Sequence, residues 1–359
     1  MNKNKFLYLL SVIIVFLSAC SSENTNPDII GTPYSLNFGT DLPQPLLPED
    51  NVLTEEGVML GRMLFYEPAL SSNGEQSCAG CHIQQAAFVD SARFSLGVAG
   101  LEGKRNSMPL FNLAWHNKGF FWDGRAATLR EQALLPIQDE LEMDESLDNV
   151  VTKIRAKANF TEQFERTFGD DAVTSERIGL AIEQFMMSIV SNNSKFDKWR
   201  RNEAELTEAE QRGHDLFFAE SNLSSTVKGA DCFHCHGGSL FTNNDFMNNG
   251  LDTDAEFTDL GYYETTQNDA DKAKFKVPSL RNIALSPPYM HDGRFETLEE
   301  VLIHYNTNTK VSSTIDPNMH AIVDHGLNLS EEDMQDIIAF LHTLTDNTYL
   351  NNIEYADPF

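Results

Sequence analysis

Four cysteines carry the clearest chemistry in the chain. Cys78-Ala79-Gly80-Cys81-His82 and Cys232-Phe233-His234-Cys235-His236 both read Cys-x-x-Cys-His. Two thiols one turn apart can reach the two vinyl groups of one porphyrin while the adjoining imidazole lies under the iron, so this is the spacing of covalent c-type haem attachment. One such motif is a weak signal; two that leave only Cys20 of the five cysteines over are a strong one. The expected cofactors are two covalent haem c groups, bound through Cys78, Cys81, Cys232 and Cys235, with His82 and His236 as iron ligands. A zinc site built from the same side chains is the alternative.

The first residues agree with that chemistry. Lys3 and Lys5 precede an apolar run, 6–17, that is too short and too early for a stable membrane span, which marks residues 1–19 as an export signal. Leu17-Ser18-Ala19-Cys20 resembles the lipobox of bacterial lipoproteins. It implies acylation of Cys20 and a lipid anchor in the periplasm or cell envelope, at the outer membrane; ordinary signal cleavage with Cys20 incidental is the alternative. Residues 20–50, rich in Pro, Asn, Ser and Thr, read as a tether and extended lead-in.

The remainder is globular in composition, at 41% hydrophobic and 22% charged, and its length suits two domains. Lys and Arg number 26 against 54 Asp and Glu, a formal charge of -28 that argues against nucleic acid and favours a basic macromolecular partner. The chain also repeats itself. Helical stretches begin at Leu53-Thr54-Glu55-Glu56 and at Leu206-Thr207-Glu208-Ala209-Glu210, lying 24 residues (Thr54 to Cys78) and 25 residues (Thr207 to Cys232) before the cysteines. Asp123-Gly124-Arg125 and Thr128-Leu129 answer Asp292-Gly293-Arg294 and Thr297-Leu298. Apolar spacing is helical in 178–189 and 334–341, and Ser330 with Asp333 has the form of a capping box. The expected fold is all-α: two cytochrome c-like helical domains in tandem, 51–200 and 201–345, each with one haem, followed by a tail, 346–359.

Over roughly residues 43 to 345 the sequence resembles the bacterial di-haem cytochrome c peroxidases and their MauG-like relatives. The resemblance is carried by 121–125 (Phe-Trp-Asp-Gly-Arg), Glu131-Gln132-Ala133, Pro136-Ile137 and Glu142-Met143, and then by 277–282 (Val-Pro-Ser-Leu-Arg-Asn) and 288–293 (Pro-Tyr-Met-His-Asp-Gly). It implies that the N-terminal haem reacts with peroxide and the C-terminal haem stores and relays an electron, with Trp122 between them. It places Gln132 and Glu142 above the first iron, with Pro136 against the ring and Glu142 moving the proton. From the residues alone, Trp122 reads first as a residue of core packing or haem contact, and Glu142, in an acidic run where Glu140 is the obvious misassignment, as a solvated charge. The resemblance also implies a calcium ion held by the side chain of Asn106 and the carbonyls of Ser286 and Pro288, although an Asn in a loop is commonly only a turn residue.

Two departures from the family pattern stand out. A histidine that caps the first haem in many members is replaced by Val98 in Ser95-Leu96-Gly97-Val98, so that haem is expected to be open unless another side chain, His116 being nearest, takes the place. Fourteen residues after His291, where a methionine is usual, stands Tyr305. A phenolate there favours ferric iron and higher oxidation states, as in MauG-like proteins. Met319 and His304 are the other candidate ligands. The leading reading is a peroxidase that reduces hydrogen peroxide to water with electrons from a small cytochrome c or cupredoxin. A MauG-like oxidase of a protein or organic substrate is the alternative, and a non-enzymatic two-haem electron carrier is third. A homodimer is left open.

Overall fold

The structure, a computed structural model, describes residues 30–221 and 228–359. The export signal and Cys20 lie outside the described residues. Among the described residues no helix is long and apolar enough to cross a membrane.

The chain is mostly helical, and its principal helices begin where local chemistry says they should. In α1 (Glu55–Phe65) the Thr54 hydroxyl accepts the Gly57 N–H. Capping boxes open α2 (Leu129–Gln138) at Thr128 and Glu131. Thr174 caps α3 (Ser175–Ser188). Further capping boxes open α4 (Glu208–Phe218) at Thr207 and Glu210, α5 (Leu298–Ile303) at Thr297 and Glu300, and α6 (Glu331–His342) at Ser330 and Asp333. Each box satisfies two amide protons that the helix itself leaves free. The departure from an all-helical reading is one small ribbon, in which β1 (Phe246–Met247) pairs antiparallel with β2 (Phe275–Lys276). Strands of two residues are too short to show an alternating pattern in sequence.

Two hydrophobic cores result. The first gathers apolar residues from Leu42 to Val190 around α1 and α3 and takes in Tyr349, Leu350 and Tyr355 from the C-terminal segment. That segment is tied down by the Tyr355 hydroxyl, which donates to the Ser188 carbonyl at 3.0 Å, and by Arg62, whose Nε donates to the Ala356 carbonyl at 2.6 Å. The second core runs from Phe196 to Leu344 around α4 and α6. Against the second core, Arg281 and Asp197, both 1% exposed, form a two-pronged ion pair at 2.7 and 2.9 Å, with the Arg281 guanidinium 6.0 Å from the centre of the Phe241 ring. A third, small cluster joins Trp122 to Ala273 and Phe275.

The internal repeat is also structural. The hairpin-like bridges Phe120 to Ala126 and Tyr289 to Phe295 precede α2 and α5 in the same way. The central helix pairs, α1 with α3 and α4 with α6, approach through a glycine at the same place in each repeat. A Cβ on Gly61 would lie 1.9 Å from the Ala181 carbonyl oxygen, and one on Gly213 would lie 1.9 Å from that of Asp336. Neither obstacle is a flexible side chain, so the backbones themselves would have to separate.

Gly61→Ala and Gly213→Ala are therefore each expected to destabilise the holoprotein by at least the ~1–3 kcal/mol typical of overpacking. Met59→Ala on the exposed side of α1, where Met59 is 38% exposed, should stay within about 0.5 kcal/mol. Guanidinium unfolding checks this: midpoints for the glycine variants equal to that of the Met59 variant would remove the close-approach argument.

Candidate functional site

Each Cys-x-x-Cys-His motif forms a short helical turn at the wall of its own cavity. His82 and Cys81 line the first cavity, of about 860 Å³; Cys232, Cys235 and His236 line the second, narrower one, of about 210 Å³. The imidazoles are fixed in the same way. His82 Nδ1 faces the Phe88 carbonyl at 2.8 Å, and His236 Nδ1 faces those of Pro278 and Phe241 at 3.1 and 3.2 Å. A nitrogen facing a carbonyl must carry the proton, which leaves Nε2 with a free lone pair. Burial lowers both pKa values, that of His236 to about 4, so both rings are neutral and fit to bind a metal.

The sulfurs are held as thiols. Burial pushes Cys78 and Cys232 up to about 12 and Cys235 up to about 11, and raises Cys81 as well. Among the described residues the only convergent group of metal-binding side chains is Glu220, Asp231 and His234. The motif cysteines and their following histidines thus do not assemble a zinc site. Neutral thiols on one turn, an oriented imidazole and a cavity walled in the second case by Leu298, Leu302, Ile322 and Leu341 suit a covalently held, apolar macrocycle.

Gln132, Pro136, Glu142, Trp122 and His116 all line the first cavity. Gln132 and Pro136 come from α2. The chain then folds back on the end of that helix: the Met143 amide donates to the Pro136 carbonyl at 3.2 Å and the Glu145 amide to that of Ile137 at 2.8 Å. This satisfies carbonyls that the helix end leaves free and turns Glu142, not the exposed Glu140, towards the cavity. The Val98 amide donates to the Glu142 carbonyl at 2.8 Å, so the loop at 95–98 braces the glutamate. Burial, then the neighbouring Asp139, raises the Glu142 carboxyl above its ordinary range, with Arg125 opposing. Leu96 and Gly97 reach the wall; Val98 does not. His116 is stacked on Phe120, and burial together with the charge of Lys276 pushes it down to about 3.

In the second cavity Tyr305 and Met319 share the wall with His236. Tyr305 lies in a π-helical turn, His304–Asn308, a local irregularity common at functional positions. Its hydroxyl accepts from Asn249 Nδ2 at 3.0 Å, and burial pushes the phenol up to about 12. His304 is turned away: it is 3% exposed, outside the cavity wall, with Nε2 at 3.1 Å from the Asn249 carbonyl.

Trp122, 9% exposed, lines both cavities, and its indole N–H donates to the Asn106 carbonyl at 2.8 Å. Asn106, Ser286 and Pro288 together line the second cavity. The Asn106 amide group donates to the carbonyls of Arg93 and Ala92 at 3.1 and 3.4 Å, which aims its oxygen the other way. Three residues escape the sequence reading. Asn249 orients Tyr305. Arg105 forks onto Asp259 at 2.7 and 2.8 Å while reaching Asp123 at 2.5 Å. Lys276 lines both cavities. Lys276 stands one residue before the Val277-Pro278 run, and that adjacency is the one signal it offers in sequence.

The fold and these two sites define a helical c-type haem protein. A family described as di-haem cytochrome c peroxidase matches residues 55–205. The cytochrome c551 peroxidase of Nitrosomonas europaea is 34% identical, covering 84% of each chain. The methylamine utilization protein MauG of Methylorubrum extorquens is 33% identical, over 83% of this chain and 80% of its own. A crystal structure of a MauG-like protein associated with microbial copper homeostasis superposes with a TM-score of 0.82 at 33% identity, over 90% of this chain and 99% of the other. The chain belongs to the di-haem cytochrome c peroxidase and MauG family. Membership makes it an oxidoreductase and implies haem c as its cofactor.

The mature holoprotein is expected to exceed its polypeptide mass by two haems, and Cys78→Ala with Cys81→Ala should lower that excess to one. Intact-mass spectrometry after acid-acetone treatment checks this; a single haem in the unaltered protein would show that one cavity is not a haem site.

Proposed function

We propose that the protein reduces hydrogen peroxide to water in the first cavity, using two electrons and two protons per peroxide, with electrons entering through the second cavity from a small cytochrome c or cupredoxin. The observation that carries this is Glu142 and Gln132 on the wall of the His82 cavity, with Trp122 shared between that cavity and the next. The resemblance to the Nitrosomonas europaea peroxidase over most of both chains supports it. When bound, the haem iron supplies the centre that takes up and releases electrons. His82, its proton fixed at Nδ1, offers Nε2 to that iron. The Glu142 carboxylate accepts a proton from one peroxide oxygen and returns it to the other, which makes water the leaving group. The Gln132 amide is the neutral hydrogen-bonding partner beside it, and Pro136 packs the wall. Trp122 offers an extended π-system between the cavities.

The domain assignment, 51–200 and 201–345 with one haem each, is part of this proposal and is supported by the two cores. So are export and lipid anchoring at Cys20, which rest on the sequence of residues 1–20. A calcium ion at Asn106 with the carbonyls of Ser286 and Pro288 is compatible with the aim of the Asn106 oxygen, water or further carbonyls completing a shell of six to eight oxygens.

A general proton acceptor works as carboxylate, so activity is lost as pH falls through its pKa. Because burial raises that of Glu142 above the ordinary 4.5, the acid limb of kcat/KM is expected above that value. Glu142→Gln should retain both haems, lower peroxide turnover by about 10²–10⁴-fold and abolish the limb. Turnover of a reduced cytochrome, followed at several pH values, measures both; an unchanged limb in Glu142→Gln would assign the proton transfer elsewhere.

The second reading, a MauG-like oxidase, is favoured by Tyr305 on the wall of the second cavity with its hydroxyl held by Asn249. With Tyr305 as iron ligand, Tyr305→Met is expected to raise that haem's reduction potential, because a thioether favours ferrous iron more than a phenolate does. Met319→Leu should leave it nearly unchanged. Redox titration of the two variants decides between them, and the reverse pattern would assign the ligand to Met319.

A further inference from the structure

One residue of the wall between the cavities has no part in the chemistry above. Lys276 is 2% exposed and lines both cavities. Strand β2 carries it there, its amide donating to the Trp122 carbonyl at 2.8 Å. The ammonium donates to the carbonyls of Lys118 and Asn244 at 2.8 and 3.3 Å and lies 5.0 Å from the centre of the Phe246 ring. These acceptors are neutral and account for two of its three protons. No carboxylate of the described residues stands within ion-pair distance of it; Asp245, the nearby acid, is paired with Lys118. Burial, aided by the charge of Lys118, pushes the ammonium down to about 8. A buried ammonium with a proton to spare and no counter-charge is strongly unfavourable unless something anionic completes it.

We propose that Lys276 anchors a carboxylate of the porphyrin in the second cavity. The proposal rests on reading that cavity as a haem site. Porphyrin propionates are the anionic groups such a cofactor brings. Among the described residues Lys276 is the only Lys or Arg on the second cavity's wall, whereas Arg93, Lys104, Arg105 and Arg125 are available to the first. A cation held at the edge of the second haem favours its ferrous form and does so beside the backbone of Trp122, through which the two centres adjoin. Lys276 thus tunes the centre that stores the electron. The competing description is a purely structural tie between the carbonyls of Lys118 and Asn244.

The test uses full-length holoprotein, with haem content fixed first by pyridine haemochrome assay. Lys276→Met should retain both haems, lower the midpoint potential of the second haem and leave that of the first nearly unchanged. Its propionate bending band in resonance Raman spectra should shift, and Lys276→Arg should restore band and potential. Unchanged second-haem potential and band in Lys276→Met, with two haems present, would overturn the assignment and leave the structural tie. If Lys276→Met does not fold, the unaltered protein decides: a propionate band that shifts between H2O and D2O supports the contact, and an unshifted one overturns it. An unaltered protein without a second haem would instead overturn the haem reading on which the proposal rests.

Discussion

Everything at these sites depends on where one imidazole proton sits. A haem ligand needs a neutral ring with a free lone pair on the nitrogen facing the cavity, and the Nδ1 contacts of His82 to Phe88 and of His236 to Phe241 and Pro278 impose that state. In each repeat a carbonyl acceptor follows the motif by five or six residues, so the stretch that carries the histidine also orients it. The loop between ligand and acceptor must then be held rigidly. The helix pairs α1 with α3 and α4 with α6 do this, at an approach so close that Gly61 and Gly213 leave no room for a methyl group. Ligand orientation and helix packing are thus successive parts of one constraint, repeated twice.

Where the repeats meet, the constraint changes from apolar packing to directed polar contacts. Asn282 donates to the Ser191 hydroxyl at 2.9 Å and accepts from the Asp346 amide at 2.8 Å. Asn106 ties three chain segments to one point, accepting from Trp122, donating its amide to His291 and its side chain to Arg93 and Ala92. Trp122 is consequently held by its N–H while its ring faces both cavities, and Arg105 pins the following Asp123 to Asp259. The position of Trp122 is therefore over-determined by contacts on both sides of it.

What was legible in the sequence was chiefly local. Thr54, Thr207 with Glu210, and Ser330 with Asp333 announce helix starts because a cap and its partner stand within three residues of each other. The Cys-x-x-Cys-His motifs are equally local, and the repeat followed from comparing such signals. Glu142 was ambiguous from composition because its neighbours are acidic; what distinguishes it is the fold-back onto the end of α2, a tertiary event. Tyr305 could be singled out only by resemblance, and Asn249, 56 residues away, has no sequence link to it. Lys276 carries no comparable signal: a lysine is ordinarily solvated, and its burial follows from a two-residue strand without a detectable pattern.

The charge distribution divides the tasks of surface and interior. A chain of formal charge -28 presents a field that a neutral molecule such as hydrogen peroxide does not feel. It acts on charged partners, where long-range attraction raises the rate of encounter and falls with ionic strength. The cations follow a different logic. Arg93, Lys104, Arg105 and Arg125 line the first cavity in a protein with 26 Lys and Arg in all, and there they face acidic side chains across short, poorly screened distances. Attraction between the acidic chain and a charged partner and the short-range pairs inside the cavity therefore respond differently to salt, which screens the first far more than the second.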